Sequence, residues 1–374
     1  MKILQIMAGA AHGGAETAFV DMCLALHDKG QDVVVVTRPN PVRVPRLRQA
    51  GLTVYTLPFG GRVDFYTGWR IRHIIRAFQP HIVQTWMARA PRFVRRWTSK
   101  SGQPQYTIVA RLGSPYKFKY FASSEYFIAI TPLIKKYIVS HGVSEDRVIH
   151  INNFADTQDA VQPVDRKTYG IPEEAPLILG LGRLHPSKAF DTLIRVVAQM
   201  PAVFLWIAGE GPERKNLEGL IRELGVAGRV KLIGWQTDRA SLFKESDVCA
   251  FISRTEGFGT VFVQAWAHNV PVVVCEADGP RQYIRHRQDG MMAPIDDIPA
   301  IKACLQNILD DASLRRTVVE NGYHRYRSEF TKESCVAAYL AFYESLCRTA
   351  SSNTLCRPAL KESANSVVKP AQDW

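Results

Sequence analysis

The 374-residue sequence contains no apolar run approaching the roughly 18–20 residues that a membrane-crossing helix needs, so no helical span is expected. The apolar start Ile3–Ala11 is short, carries Gln5 and follows a single basic residue, which reads as a first strand rather than a secretion signal. The seven cysteines form no Cys-x-x-Cys pair. An odd, scattered set of this kind argues against a zinc site or a disulfide framework and suits a reducing, cytoplasmic compartment. There is no G-x-G-x-x-G to mark a dinucleotide turn, and no Asp-x-Asp to hold a metal beside a diphosphate. Acid is nearly missing from one stretch: residues 38–119 hold 16 Lys and Arg against Asp64 alone.

That stretch skews the whole chain. Residues 1–160 carry 21 basic and 10 acidic side chains, whereas residues 161–374 carry 26 and 25, so the two halves face different partners. Hydrophobic content of 46% is globular, and the length allows two domains. Short apolar runs alternate with helical spacing twice over. Strands are expected at Lys2–Ala8, Asp32–Thr37, Leu52–Leu57, Ile82–Thr85, Tyr106–Ala110, Tyr126–Ile130 and Val148–Ile151, with helices at Ala15–Lys29, Phe65–Phe78 and Thr131–His141. After a proline-bearing stretch the alternation restarts at Leu177–Leu181. It continues through strands at Val203–Ala208, Val230–Ile233, Val248–Ile252 and Val270–Cys275 to a last helix, Phe330–Arg348. This predicts two doubly wound α/β domains. Their bounds are 1–157 and 177–329, with a linker at 158–176, a C-terminal helix at 330–348 that crosses back, and an unstructured tail from 349 to 374.

The densest chemistry lies at Ser253–Val274. A polar turn with Glu256, Gly257, Phe258 and Gly259 opens a helix at Thr260, between two apolar strands. Unpaired N–H groups at a helix start, with glycines that let a ligand approach the backbone, suit a phosphate; an ordinary helix start with an acid near its dipole would look the same. Upstream, Gly182-Arg183-Leu184 is followed by Lys188, two cations able to hold a diphosphate at a strand end, or two solvated loop charges. Gly209-Glu210-Gly211-Pro212 and the strand end at Gly234 add two further tight turns, each weak alone.

Taken in order and spacing, these motifs resemble the retaining glycosyltransferases of family 4, which have the GT-B fold. The family's S-x-x-E-G-F-G lies at Ser253–Gly259, its G-R-L-x-x-x-K-G at Gly182–Ala189, its G-x-G-P at Gly209–Pro212, and its G-G-A-E at Gly13–Glu16. Asn152-Asn153-Phe154 is similar to the family segment after the last strand of the first domain. Three positions depart from the pattern. Gln264 stands where the family has a second Glu, Ala189 replaces a Gly, and Trp86 occupies a place where many relatives carry a histidine, so no histidine role is carried over to it. The likeness covers roughly residues 2–348 and is denser in the second half.

The resemblance implies transfer of a hexose-type sugar from a UDP- or GDP-linked donor, with retention of configuration and without a bound metal or other cofactor. Arg183, Lys188 and the N–H groups near Gly257–Gly259 are expected to stabilise the departing diphosphate, and Glu256 to orient the sugar. Gly13, Gly14, Gly182, Gly209, Glu210, Gly234, Phe258, Thr260 and Gln264 are expected around the donor; His12, Trp86 and Arg111 are candidates on the acceptor side. The acceptor is expected to be a glycan or glycolipid such as a lipopolysaccharide core. The basic first half, with Phe93, Trp97, Tyr116, Phe118, Tyr120 and Phe121 nearby, is expected to meet an anionic membrane at its cytoplasmic face. Two alternatives remain at this stage. A nucleotide-sugar 2-epimerase would share the fold, but the motif series favours transfer. A nucleic-acid-binding protein would explain the basic half, but it would need an aromatic-studded sheet or a recognition helix that is not evident, so no nucleic acid partner is expected.

Overall fold

The computed structural model describes residues 1–10, 13–61, 63–102, 105–155, 164 and 166–352. In the first half, strands β1 (Lys2–Met7), β2 (Asp32–Thr37), β3 (Thr53–Thr56), β4 (Ile82–Trp86), β5 (Thr107–Leu112), β6 (Tyr126–Ala129) and β7 (Val148–His150) are joined by helices α1 (Gly14–Asp28), α2 (Arg43–Gln49), α3 (Phe65–Phe78) and α4 (Pro132–Ser140). The second half holds β8 (Leu177–Leu181), β9 (Phe204–Ala208), β10 (Val230–Gly234), β11 (Val248–Phe251), β12 (Val272–Cys275) and β13 (Met291–Ala293). Its helices are α5 (Phe190–Ala198), α6 (Arg214–Glu223), α7 (Arg239–Glu245), α8 (Thr260–Ala267), α9 (Asp278–Tyr283), α10 (Ile298–Asp310), α11 (Ala312–Arg325) and α12 (Lys332–Ser352).

Every strand pair is parallel. The seven-stranded sheet runs β3-β2-β1-β4-β5-β6-β7 and the six-stranded sheet β10-β9-β8-β11-β12-β13. Helices cover both faces of such sheets, which is why β2 can be a run of four valines and β12 a run of three. Each sheet reverses its winding once, between β1 and β4 and between β8 and β11. Outside the carboxyl ends of the strands at such a point a crevice opens.

Local chemistry fixes the helix ends. Asp64 caps α3, its carboxylate accepting from the Thr67 N–H at 2.9 Å and the Thr67 hydroxyl at 2.6 Å. Thr131 caps α4, whose first residue is Pro132. The last helix does cross back. From α12, Tyr339 and Tyr343 are buried against Ile3, Met7 and Trp86 of the first domain, the Tyr343 hydroxyl donates to Gln84, and Lys332 pairs with Asp28 at 3.2 Å. Between the sheets, Ile130 and Ile134 share one core with Phe258, Tyr283 and Phe330.

Several elements differ from expectation. Helix α2 is short, basic and contains Pro45; it forms because Asn40 accepts from the N–H groups of Val42 and Arg43 at 3.0 and 2.7 Å. Helix α9 and strand β13 are too short for periodicity to reveal. A π-helical turn, Tyr326–Phe330, joins α11 to α12, so the last helix starts at Lys332, and it runs through Ser352 into the segment expected to be tail. Part of the expected linker and residues 353–374 lie outside the described residues; within the linker, Arg166–Tyr169 form a 3-10 turn.

Candidate active site

At the reversal of the second sheet, three glycine turns are stitched together by backbone bonds. The Gly182 N–H donates to the Ala208 carbonyl at 3.0 Å, the Gly209 N–H to the Gly234 carbonyl at 2.7 Å, and the Leu184 N–H to the Glu210 carbonyl at 3.0 Å. A Cβ on Gly209 would sit 1.8 Å from the Gly182 carbonyl oxygen, and one on Gly211 would sit 2.2 Å from that of Leu184. These glycines are therefore demanded by backbone against backbone, and the shelf they form leaves room for no side chain. Glu210 is exposed, and its carboxylate accepts from both Nε and Nη2 of Arg214, at 2.9 and 2.6 Å. Those bonds hold the carboxyl below its ordinary range.

Beside the shelf, Pro186–Lys188 make a 3-10 turn that ends in Ala189, buried and in the left-handed region (φ 54°) where glycine is normally preferred. The turn aims Lys188 across the β8–β11 gap. Its ammonium donates to the Glu256 carboxylate and lies 5.5 Å from the centre of the Phe251 ring. Arg183 is exposed and makes no ion pair among the described residues. Glu256 belongs to the turn before α8, whose N-cap is Gly259 at φ 90°, with a Cβ position 2.5 Å from Phe251. Thr260 is the first residue of α8. Gln264, one turn on, is 7% exposed, and its amide oxygen is buried without a partner. Phe258 turns inward against Phe262, Tyr283 and Phe330, so its side chain is core and only its backbone faces the turn.

The geometry of both loops depends on Arg254. Its guanidinium binds Asp191 at 2.7 Å, Asp296 at 2.7 Å and the Pro186 carbonyl at 2.6 Å, while its backbone N–H donates to the Ser187 carbonyl at 2.8 Å. These bonds raise the pKa of Arg254 still further, Asp191 first and Asp296 second. Sequence reasoning missed this residue because its carboxylate partners lie far along the chain in both directions. A cation two residues before the motif's Glu was the only available signal.

Across the crevice, a Cβ on Gly257 would lie 3.4 Å from the Gly113 carbonyl, so the turn after β11 touches the turn after β5. Gly13 and Gly14 open α1, exposed. Glu16, the acid of the G-G-A-E motif, folds back beneath them and accepts from the Ala10 N–H at 2.6 Å. His12 lies outside the described residues. Trp86 is 1% exposed and its indole N–H donates to Gln5 at 2.7 Å; Arg111, also 1% exposed, lies 4.0 Å over the Trp86 ring and donates to Asn153. As an acceptor-side candidate Trp86 is therefore corrected: its indole is core, and it serves as the plate on which Arg111 rests.

Residues 12–159 match the family Glycosyltransferase Family 4, and residues 161–325 match Glycosyl transferases group 1. The chain is 30% identical over 352 residues to LpsE, a lipopolysaccharide core biosynthesis glycosyltransferase of Rhizobium meliloti, covering 91% of this chain and 98% of that one. It is also 30% identical over 348 residues to LpsD of the same organism, covering 92% and 98%. Among solved structures, HepE of Anabaena with UDP and glucose superposes with a TM-score of 0.77 at 20% identity, over 92% of this chain and all of that one, a likeness of fold.

Proposed function

The chain belongs to glycosyltransferase family 4, with the GT-B fold, and from that premise we propose that it moves a hexose-type sugar from a UDP- or GDP-linked donor to a lipid-linked saccharide, with retention at the anomeric carbon. The observation that carries the reading is the Lys188–Glu256 pair, set over the glycine shelf at the reversal point of the second sheet. The diphosphate lies along the shelf, where no side chain obstructs it. Lys188 and Arg183 neutralise the charge that grows on the leaving group, and the unpaired N–H groups at the start of α8 add to this without reorganising. Glu256 orients the sugar hydroxyls and stabilises positive charge near the anomeric carbon. The departing phosphate takes the acceptor's proton on the same face, so no separate base is assigned and no metal is invoked. Lipopolysaccharide core biosynthesis, the role given to LpsE and LpsD, is the context we adopt for the acceptor.

A peripheral contact with the inner membrane completes the proposal. Among the described residues no helix is long and apolar enough to cross a bilayer. The surface that suits an interface differs from the one expected. Tyr116, Phe118 and Phe121 pack inward, whereas Val63 (82% exposed), Phe65 (80%), Tyr66 (55%) and Trp69 (46%) project around the start of α3, beside Arg70, Arg72, Arg92 and Arg95. Apolar rings amid cations match an anionic bilayer, where each cation contributes about 1 kcal/mol.

The test of the donor assignment is a thermal-shift panel with UDP, GDP and ADP. One nucleotide should raise the melting temperature well above the others. Binding of none, or of all equally, would refute a base-reading donor site. For the membrane, adsorption to phosphatidylglycerol vesicles should weaken with salt and with Phe65→Ser plus Trp69→Ser; indifference to vesicles at low salt would remove it.

A further inference from the structure

Among the described residues, several arginines along the carboxyl edge of the first sheet lack a carboxylate, as Arg183 does in the second domain, whereas Arg214, Arg254, Arg281 and Arg325 of that domain pair with carboxylates. None of the ion pairs among the described residues involves Arg38, Arg43, Arg89 or Arg111. Two of the four meet at one atom. Arg38, just beyond β2, donates through Nε to the Pro58 carbonyl at 2.9 Å and through Nη2 to the Phe59 carbonyl at 2.5 Å; Arg89, just beyond β4, donates through Nη1 to that same Phe59 oxygen at 3.3 Å. Phe59 is itself fixed. Its ring is buried and edge-on to Phe93 at 5.5 Å, and its N–H donates to the Thr67 hydroxyl at 3.2 Å. Asp64 is the single acid of residues 38–119, and its carboxylate is taken by Gly60 and Thr67. Two guanidinium charges are thus drawn together over a neutral carbonyl. Burial, and after it the charge of Arg89, lowers the pKa of Arg38. Arg43 lies deeper, 5% exposed, its Nη1 donating to the Ala10 carbonyl at 3.2 Å and its Nε unpaired; Glu16 is the carboxylate that acts on it.

Two like charges held this close repel unless an anion joins them. Each keeps N–H donors beyond those spent on the carbonyls, and a pair of forked donors matches the oxygens of a phosphate or carboxylate. The edge they occupy is the carboxyl edge of the first sheet, the same edge whose turn after β5 touches the Gly257 turn of the second half. We propose that Arg38 and Arg89 form an anion subsite for the acceptor, so that the enzyme selects a saccharide bearing a phosphate or carboxylate group. The inference rests on the transferase reading and deepens it by giving the acceptor a charge.

The probes are glucose 6-phosphate, glucuronate and methyl glucoside, titrated calorimetrically into the full chain saturated with the nucleotide it prefers. Vesicles of phosphatidylglycerol form a fourth arm. The anionic sugars should bind about tenfold or more tighter than the neutral one, the gain expected from charge-assisted bonds. Arg89→Gln should abolish that preference and Arg89→Lys should keep part of it. Arg89 is exposed and makes one long bond, so the fold should tolerate either change; Arg38→Lys provides a second variant with the charge retained and the fork lost. Equal affinity for charged and neutral sugars in the unmodified protein overturns the subsite, as does an undiminished preference in Arg89→Gln. If Arg89→Gln weakens vesicle adsorption while leaving sugar binding unchanged, the anion is a lipid headgroup and the acceptor assignment fails. Slow release of nucleoside diphosphate from the nucleotide sugar without acceptor is followed in parallel. Its absence would count against the transferase reading, whichever way the anion titrations fall.

Discussion

Lys188 and Glu256 each satisfy the other's charge across the gap between two loops, so a bound donor has to exchange this pair for contacts to its own phosphate and sugar. In the proposed arrangement Lys188→Ala therefore does two things: it removes a cation from the diphosphate and takes away the ammonium that Glu256 pairs with. Turnover should fall at least about 100-fold, roughly 3 kcal/mol for the loss of one preorganised donor. Arg183→Ala should cause a similar loss through the diphosphate alone, since Arg183 has no ion pair to break among the described residues. Steady-state rates with both variants at matched melting temperature check this, and near-native turnover in either would remove that cation from the leaving-group site. Gln264 poses a different question. Its buried, unpaired amide oxygen can accept from one ribose hydroxyl, whereas a carboxylate could accept from both. Gln264→Glu should retain activity and hold the nucleotide at least as tightly; a folded but inactive Glu variant would show that the side chain does not reach the ribose. At this scale the sequence was most informative where a residue is demanded by backbone, as at Gly209 and Gly211, because glycine there leaves a visible mark. It was least informative where a side chain works through its surroundings. Trp86 reads as a departure from a histidine position, and only the fold reveals it as a plate for Arg111.

Apart from the last helix, whose end lies four residues beyond the expected one, the strands and the longer helices could be placed within a residue or two, since a parallel sheet covered on both faces writes itself as unbroken apolar runs. Helix α2, helix α9 and strand β13 escaped notice because three to seven residues cannot display a period, and because β13 is held by a partner remote in sequence, the β12 ladder. The same remoteness hid the strut that joins the two donor loops. Arg254 ties Ser187 and Pro186 on one loop to its own position two residues before Glu256, and anchors both to Asp191 at the start of α5 and to Asp296. It touches neither sugar nor phosphate in the proposed arrangement; its task is to keep Lys188 and Glu256 in register. Arg254→Ala should lower stability by about 1–3 kcal/mol for the bonds lost and should also raise the KM for the nucleotide sugar and reduce kcat about tenfold or more. Arg254→Lys should recover part of the kinetic loss, because an ammonium can hold one carboxylate although it cannot span two. If Arg254→Ala melts earlier yet keeps both kinetic constants, the strut serves the fold alone.

Charge asymmetry between the halves and the return of the last helix were expected from the sequence, but the second join between the halves was not. Besides α12, the connection runs through Tyr283 of α9, whose ring packs against Phe258, Phe262 and Phe330 while its hydroxyl reaches first-domain groups. Its hydroxyl lies 3.1 Å from the Ile130 carbonyl, 2.9 Å from Asn152 Oδ1 and 3.2 Å from His150 Nε2. One phenol has a single proton to give, to Ile130 or Asn152, so it can accept from His150, which requires a proton on Nε2. Burial holds the His150 pKa below its ordinary 6.5, and the charge of Lys135 lowers it further, against opposing contributions from Asn152 and Glu329. The sign of the consequence follows from linkage. The unfolded chain takes up the proton near its ordinary value while the folded chain resists it, so stability is retained above pH 6.5 and declines as pH falls below it. His150→Gln keeps an N–H for the Tyr283 hydroxyl but cannot titrate. Melting curves from pH 7.5 to about 5.5 should therefore show the unmodified protein losing more stability than the variant, with the difference growing through the lower half of that range. Two parallel curves would mean that the join between the domains does not sense this proton, and that Tyr283 is held by its bonds to Ile130 and Asn152 alone.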